Sequence, residues 1–452
     1  MKQAGILNRI TKPFVAVVER HYPDPFIFLI VLSVLAFILA LFLTDASLSE
    51  ATWAWGGGLS LLLSFTTQIC LTLITGHALA HTDSVQQLLA RAARLPRSSA
   101  QCYAWAALVS GLCSLLAWGL GLVAGALMAR QLAKVGEERQ WRLHYPLLVA
   151  SAYSGFVVWH MGYSGSAPLF VATDGHALQG LVGLVPVTDT ILSPWNIVAA
   201  AVTLIVVSLV CPLMRPAASD VIVLRIEQAD LPQQSEIADT NRGLAAILNN
   251  ARFLSFIAGA AVLVYLVLWF VREGLSLNLN IVNWSFLAGG LLLARSPTHY
   301  VELVTRAGRT IGPILLQFPF YAALMGLMSD TGLVNVISSW FAGFATEHTL
   351  AFWGFLSGGL INLFVPSGGG QWAVQGPVFL QAALDLGADP ALIVMGIAYG
   401  DQWTNMIQPF WAIPLLAIAG LSLREIMGYT FVILLVTFAV FGTTILLVPH
   451  IS

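Results

Sequence analysis

Charged residues are scarce in this sequence. Asp, Glu, Lys and Arg make up 9% of its 452 residues, whereas a soluble globular chain carries about 25%. This scarcity excludes a soluble enzyme, a disordered chain and a nucleic-acid-binding protein, and the net charge of -2 predicts no basic field for phosphate. The four cysteines have no paired spacing and lie in or beside apolar stretches, which indicates buried side chains rather than disulfides or metal ligands.

Apolar residues replace the missing charge, since 58% of the chain is hydrophobic. A bilayer core needs about 20 apolar residues for each helical span, and such runs recur from residue 26 to residue 447. We therefore predict an all-α polytopic membrane protein with about 9 full spans and about 2 re-entrant hairpins. An amphipathic, positively charged stretch from Gln3 to Arg20 precedes the first run, which we interpret as an uncleaved anchor.

The positions of lysine and arginine predict the topology, because these residues mark cytoplasmic loops. Four basic residues before Asp24 place the N-terminus in the cytoplasm. The apolar run at 100–128 has basic clusters on both sides, and both stay cytoplasmic if the run is a hairpin that enters and leaves through one face. Lysine and arginine are absent from 143–214 and from 310–423. A second hairpin at 351–381 satisfies this absence and leaves all but one of the 20 basic residues in the cytoplasm.

The sequence also contains a weak internal repeat with an offset of 246 residues. The recurring pairs are Ala152-Tyr153 with Ala398-Tyr399 and Pro168-Leu169 with Pro414-Leu415. An extra helix between the halves gives them opposite orientations in the predicted topology. Inverted repeats of this kind are typical of secondary transporters, whose sites lie near the midplane where discontinuous helices meet.

These observations divide the chain into four segments. The first inverted repeat covers 1–214, with a hairpin near 100–128 and a broken helix near 146–171. A cytoplasmic loop at 215–252 and a linker transmembrane helix at 253–279 follow. The second inverted repeat covers 280–452, with a hairpin near 351–381 and a broken helix near 391–420. We expect the functional residues at the hairpin tips and at the helix breaks.

The second hairpin contains Pro366, Ser367 and three glycines at 368–370 within apolar sequence. Irregular backbone at membrane depth is tolerated only where it lines protein or an aqueous cavity. We expect one helix to end at Val365 and another to begin near Gln371, so that unpaired backbone N–H groups bind a carboxylate. An external loop between two spans is the alternative interpretation.

The two broken helices contain the ionisable candidates. His160 lies in the first, and Asp401 is the only carboxylate of the second, at 391–420. Ionisable groups at this depth are costly and by default functional. We expect Asp401 or nearby carbonyls to hold Na⁺, or Asp401 or His160 to carry H⁺. Asn405 and Gln408 share the face of Asp401 if the helix continues; the alternatives are a helix cap for Asp401 and a packing role for His160.

A third polar group lies near the predicted cytoplasmic side. His77 and His81 are four residues apart and Asp83 follows, a pattern that suggests a metal. Because no third ligand is evident at the same depth, we interpret these residues as a polar helix end. The following stretch, Ser84 to Leu95, combines a helical apolar period with basic residues and predicts an interfacial helix.

Several motifs of the chain occur together in one known family. They are Pro23-Asp24-Pro25, Thr75 to Ala80, Trp118 to Val123, Gly165 to Leu169, Gln317 to Tyr321, Val365 to Gly370 and Ala398 to Trp403. With these motifs the chain resembles, over essentially its whole length, the bacterial short-chain fatty acid transporter family, which includes acetoacetate and butyrate uptake carriers. The resemblance implies membership of the wider ion transporter superfamily, a homodimer, paired hairpins and an elevator-type transport domain. Ala117 and Asp401 depart from it, since the family often has Asn and Glu there.

We therefore predict a secondary active transporter of the bacterial cytoplasmic membrane for short-chain fatty acids and other small monocarboxylates, coupled to Na⁺ or H⁺ and without another cofactor. The candidate substrate-binding residues are Ser164, Gly165, Ser166, Ser367, Gly368, Gly369, Gly370, Gln371, Trp118, Gly119, Trp159 and Trp403, with Trp372 as a further ring for the acyl tail. The candidate coupling residues are Asp401, His160, Asn405 and Gln408. A carrier of C4-dicarboxylates or another small organic anion, a passive channel and a membrane-embedded metalloenzyme are the alternatives.

Overall fold

A computed structural model of the chain describes residues 7, 13, 15, 24–174, 176, 178–224, 243–274, 279–309 and 311–450. These residues form helices and connecting loops, and none of them lies in a β-strand. The predicted all-α class is therefore confirmed. The predicted anchor from Gln3 to Arg20 falls almost entirely outside the described residues, as does the middle of the predicted cytoplasmic loop.

The described helices are numbered α1 to α21 along the chain. The first ten are α1 Pro25–Leu43, α2 Leu48–Gly58, α3 Leu63–Ala80, α4 Asp83–Ala93, α5 Ser99–Leu116, α6 Trp118–Glu138, α7 Tyr145–Gly155, α8 Ser166–Val171, α9 Gln179–Val182 and α10 Pro194–Val210. The others are α11 Leu244–Asn250, α12 Arg252–Glu273, α13 Leu279–Leu293, α14 Pro297–Gly308, α15 Gly312–Asp330, α16 Leu333–Ala342, α17 Leu350–Asn362, α18 Gly368–Leu386, α19 Pro390–Thr404, α20 Pro409–Ala419 and α21 Leu423–Leu447. A 3₁₀ segment, Phe156–Met161, continues α7.

Six helices in the described part of the chain are long and apolar enough to cross a membrane. They are Phe26–Leu43, Ser99–Leu116, Pro194–Met214, Arg252–Glu273, Gly312–Asp330 and Leu423–Leu447. Some of the other apolar runs are divided between two helices. The sequence predicts one span from the apolar run at 53–80, but this run forms α2 and α3 with a turn at 59–62 between them. The prediction of a continuous span there is wrong. The number of spans and the side of the N-terminus stay predictions.

The helices gather into two bodies. Helices α1–α3 and α12–α15 pack together as the scaffold body, and α5–α10 with α17–α21 pack together as the hairpin body. Helices α4 and α16 lie between the bodies, and each packs against the second arm of a helical hairpin, α4 on α6 and α16 on α18. The hairpins α5–α6 and α17–α18 are thus held in the same manner.

Each hairpin also packs its first arm on the broken helix of its own half through glycine. A Cβ at Gly155 of α7 would lie 2.3 Å from the carbonyl oxygen of Ala107, and a Cβ at Gly400 of α19 would lie 2.1 Å from that of Phe355. Small residues are what allow helix backbones to approach this closely within membranes. The two glycines are 245 residues apart, one less than the repeat offset.

We expect Gly400→Ala to destabilise the protein, because its methyl group would enter the backbone of α17. Overpacking of this kind costs about 1–3 kcal/mol. Gly57→Ala is the matched control, because no atom lies within 4 Å of a Cβ built there. Thermal unfolding in detergent, followed by tryptophan fluorescence, compares the two variants. Equal melting temperatures would contradict the close approach of α17 and α19.

Candidate functional site

The first hairpin bends at a single residue and rests on the break of the first half. Ala117, which joins α5 to α6, has extended backbone angles of φ −155° and ψ 125°. The Trp118 N–H donates to the Ser164 hydroxyl at 2.9 Å, and the Tyr163 N–H donates to the Leu115 carbonyl at 2.7 Å. Ser164 therefore anchors the hairpin to the loop between the 3₁₀ segment and α8.

The second hairpin differs from its prediction at the tip. Helix α17 ends at Asn362 rather than Val365, and α18 begins at Gly368 rather than near Gln371. Ser367 caps α18 by accepting a hydrogen bond from the Gly370 N–H at 3.3 Å. The three glycines therefore form the first turn of a helix. The first N–H groups of a helix have no intrahelical acceptor, so this turn presents backbone donors.

The tip of the second hairpin faces the break of the first half. A Cβ at Gly368 would lie 2.7 Å from His160 Cε1 and 3.0 Å from the Trp159 ring, which requires glycine at this position. A Cβ at Gly369 would lie 3.9 Å from the Ser166 Cβ. The fold thus brings predicted substrate-binding residues from both halves together.

The two ionisable candidates meet at the same place. His160 Nδ1 lies 2.8 Å from Asp401 Oδ2, and each residue is 1% exposed. His160 Nε2 accepts a hydrogen bond from the Ala167 N–H at 3.2 Å, and this assigns the ring hydrogen to Nδ1, which donates to Asp401. The Gln402 side-chain oxygen accepts from the His160 backbone N–H at 2.9 Å. His160 is therefore joined to two consecutive residues of the second half, which lie 241 and 242 positions away.

This arrangement gives Asp401 no positive partner. In the assigned tautomer the imidazole is neutral, so an ionised Asp401 is not balanced by His160. Neither 143–214 nor 310–423 contains a lysine or arginine that would balance it. Asp401 thus has a fixed partner in His160, but that partner does not cancel its charge. A buried charge of this kind needs compensation from elsewhere.

The break of the second half is held by an amide. The Asn362 side-chain NH₂ donates to the Asp401 carbonyl at 2.9 Å, to the Thr404 hydroxyl at 3.0 Å and to the Asn405 side-chain oxygen at 2.7 Å. Helix α19 ends at Thr404, so the helical face expected to carry Asp401, Asn405 and Gln408 does not form. Gln408 instead caps α20 by accepting from the N–H of the second residue of that helix at 2.8 Å.

Several buried polar atoms around the two breaks have no hydrogen-bond partner among the described residues. They are Asn362 Oδ1, Gln371 Oε1, Asp401 Oδ1, Gln402 Nε2, Asn405 Nδ2, Gln408 Nε2, Trp159 Nε1 and Trp372 Nε1. Buried polar groups in folded proteins are nearly always paired. Such a concentration of unpaired donors and acceptors at the two breaks and in the second hairpin suits a polar ligand.

The tryptophans predicted to contact the acyl tail divide into two groups. Trp159 stacks on His160 with a ring separation of 4.1 Å, and Trp372 is fully buried in α18. Trp403 lies elsewhere, since its indole N–H donates to the Leu434 carbonyl at 2.8 Å and its ring packs against Phe355. The Trp403 ring therefore lies between α17 and α21, and its contact with the acyl tail stays a prediction.

The remaining predicted residues surround the same region with supporting contacts. The Trp118 ring packs against Trp411 at 5.0 Å, and Gly119 is buried in the first turn of α6. A Cβ at Gly165 would lie 2.6 Å from the His160 carbonyl oxygen. Gln371 donates to the carbonyl of a glycine in α17 at 3.0 Å and so ties the two arms of the second hairpin together.

Sequence reasoning missed Asn362 and Gln402, which bind directly to the two breaks. The available signals were their positions: Gln402 follows Asp401, and Asn362 precedes the glycine-rich tip by a few residues. Neither signal shows that the Asn362 amide, at the end of α17, would contact three groups at the end of α19. That information exists only in the packing of α17 on α19.

The histidines near the end of α3 are arranged as a polar helix end. The rings of His77 and His81 stack at 4.0 Å, and His81 Nδ1 contacts the His77 carbonyl at 2.8 Å. Asp83 is bound instead by Arg295, through two hydrogen bonds of 2.7 and 2.8 Å. This guanidinium contact holds the pKa of Asp83 below its usual value.

Comparison with known proteins identifies the family of the chain. The family described as "Short chain fatty acid transporter" matches residues 6–448. A protein of Escherichia coli K12 is 40% identical over 96% of this chain and 98% of its own length, and one of Haemophilus influenzae Rd is 35% identical over the same shares. The names of both describe them as short-chain fatty acid transporters.

Two solved structures show a more distant similarity. Neisseria gonorrhoeae MtrF, from a class of antimetabolite efflux pumps, is 18% identical with a TM-score of 0.40, covering 96% of this chain and 97% of its own. The Alcanivorax borkumensis YdaH transporter is 14% identical with a TM-score of 0.44, covering 93% and 98%. Scores below 0.5 do not establish a common fold. The family profile and the two close relatives are sufficient: the chain belongs to the short-chain fatty acid transporter family.

Proposed function

We propose that this chain is a secondary active carrier that moves short-chain monocarboxylates, such as butyrate and acetoacetate, across the bacterial cytoplasmic membrane in symport with a cation. The observation that carries the proposal is the buried His160–Asp401 pair beside the first turn of α18. A carboxylate with one oxygen unpaired by any described residue lies next to a helix N-terminus that suits an anion.

The proposed substrate carboxylate binds to the first turn of α18. Backbone N–H groups at 368 and 369 and the Ser166 hydroxyl supply donors. The indole N–H groups of Trp159 and Trp372, which no described residue accepts, add two more. The short acyl tail lies against the faces of these rings. A monocarboxylate suits a site without lysine or arginine better than a dicarboxylate, whose second charge would need a further cation.

The proposed cation compensates the charge of Asp401 and of the substrate. The backbone carbonyl of Asp401 and the side-chain oxygen of Asn405 converge at the second break, where both accept hydrogen bonds from the Asn362 NH₂ group. Oxygen ligands of this kind suit Na⁺ as a hard cation. The contact between His160 and Asp401 equally suits a proton. In both cases binding of the anion and of the cation stabilise each other in a low-dielectric site.

The proposed transport step is a movement of the hairpin body past the scaffold body. The surface between them is aromatic and aliphatic where it is best defined: Phe318 of α15 stacks on Phe410 of α20 at 4.2 Å, and a Cβ at Gly370 would lie 2.9 Å from the sulfur of Met325. Such contacts can slide without breaking ion pairs. The repeated glycine contacts support an inverted repeat with re-entrant hairpins, and family membership supports a homodimer.

Uptake by purified protein in liposomes tests the substrate class. Labelled butyrate is offered with unlabelled acetoacetate, succinate or an amino acid as competitor, while Na⁺ and pH gradients are varied separately. We expect acetoacetate to compete and succinate not to compete, and we expect one of the two gradients to drive accumulation. Stronger competition by succinate than by acetoacetate would contradict the monocarboxylate proposal and favour C4-dicarboxylates. Uptake that changes with neither gradient would contradict cation coupling.

Asp401→Asn separates coupling from substrate binding. The amide keeps the size of the side chain but cannot carry its charge. The variant site therefore always resembles the site whose charge a bound cation has neutralised. We expect gradient-driven accumulation of butyrate to fall by about tenfold or more, while exchange of labelled for unlabelled butyrate continues. Full gradient-driven uptake by the variant would contradict the role of Asp401.

A cross-link between the bodies tests the movement. A Cβ at Gly76 of α3 would lie 3.1 Å from Val123 Cγ1 of α6, and disulfides need Cβ atoms about 3.5–4.5 Å apart. In a background with the four native cysteines replaced by alanine, we expect oxidised Gly76→Cys/Val123→Cys protein to lose uptake and regain it on reduction. Val123→Cys alone is the control, and full uptake by the cross-linked protein would contradict relative movement there.

A further inference from the structure

Tyr153 lies in the first half of the chain but binds the helix break of the second half. It is buried in α7, and its hydroxyl donates to the backbone carbonyl of Asn405 at 2.7 Å. Asn405 follows the last residue of α19. Carbonyl groups at a helix C-terminus have no intrahelical donor, and a buried one needs a partner from elsewhere. Tyr153 supplies that partner from the opposite half.

Tyr399 makes the reciprocal connection through one intermediate side chain. It is fully buried in α19, and its hydroxyl donates to Asn196 Oδ1 at 2.7 Å. The Asn196 NH₂ group then donates to the Met161 carbonyl at 3.0 Å and to the Ile191 carbonyl at 2.8 Å. Met161 is the last residue of the 3₁₀ segment, so this carbonyl belongs to the break of the first half.

The two tyrosines are separated by 246 residues, the offset of the internal repeat. Each one therefore occupies the equivalent position of its half and reaches the break of the other half. The same two breaks are also joined directly, because His160 of the first lies 2.8 Å from Asp401 of the second. The lengths of both connections fix how far apart the two breaks lie.

We propose that Tyr153, Tyr399 and Asn196 are positioning residues that lock the two helix breaks against each other and thereby shape the carboxylate site. The transport part of this inference rests on the proposed function. None of the three has to contact the substrate. Their hydroxyl and amide groups act by holding the carbonyls of Asn405 and Met161, so that Asp401 and His160 stay within hydrogen-bond distance.

Hydrogen–deuterium exchange of the purified full-length protein tests the positioning directly and requires no substrate. We expect Tyr153→Phe to speed exchange of backbone amides in 405–410 by about tenfold or more, because a buried carbonyl loses its donor. We expect Tyr399→Phe and Asn196→Leu to do the same in 159–167. The effect of each tyrosine is thus expected in the half that does not contain it.

Tyr300→Phe is the matched control for these variants. Tyr300 is a buried tyrosine of α14 whose hydroxyl has no hydrogen-bond partner within the described residues. We expect its exchange pattern to equal that of the wild type. Faster exchange over the whole hairpin body in Tyr153→Phe or Tyr399→Phe would show general destabilisation, and unchanged exchange at the breaks would show that the hydrogen bonds are dispensable. Either result overturns the inference.

Butyrate uptake gives the second readout. We expect Tyr399→Phe to raise KM by about tenfold with Vmax unchanged, since a looser first break weakens binding without obstructing movement. A fall in Vmax at constant KM would contradict a positioning role. If the wild type fails to take up butyrate, the proposed function fails, whereas the exchange measurement still decides whether the tyrosines lock the breaks.

Discussion

The contact between His160 and Asp401 is the constraint on which the rest of the site depends. Two helices from different halves must both end near the middle of the molecule, and their ends must lie close enough for a hydrogen bond of 2.8 Å. Gly155 and Gly400 bring each broken helix close to its hairpin, and Asn362 fastens the second break to α17. The glycine turn of α18 can then lie beside the imidazole without collision.

The electrostatics of this contact favour a mobile partner. A fixed lysine or arginine beside Asp401 would neutralise it permanently, and the carboxylate would no longer respond to a gradient. The chain has no such residue in 143–214 or 310–423, and the neutral tautomer of His160 supplies no positive charge to Asp401. Because a charge in a low-dielectric site is costly, binding of a cation there can be coupled to binding of an anion. The absence of lysine and arginine from these two segments thus favours coupling to a mobile cation.

The helical class and the family could be predicted from the sequence, because apolar runs and family motifs are local patterns. Interrupted helices also single out His160 and Asp401 as candidates. The sequence did not reveal that these two residues touch, since they lie 241 positions apart and only packing brings them together. The hairpin tip was misplaced because Ser367 caps a helix that includes the glycines. The packing of Trp403 is also not readable from the sequence, because tryptophan in a membrane protein serves packing as readily as binding, and its indole N–H binds a carbonyl of α21.

The location of the substrate carboxylate is the central claim, and anomalous diffraction from crystals grown with 4-bromobutyrate tests it most directly. The bromine marks the end of the acyl tail, and the carboxylate is placed from the accompanying density. We predict a bromine peak beside the rings of Trp159 and Trp372, with the carboxylate on the first turn of α18 near His160. A peak outside the hairpin body, for instance in the acidic surface cavity lined by Asp45 and Asp330, would contradict the account.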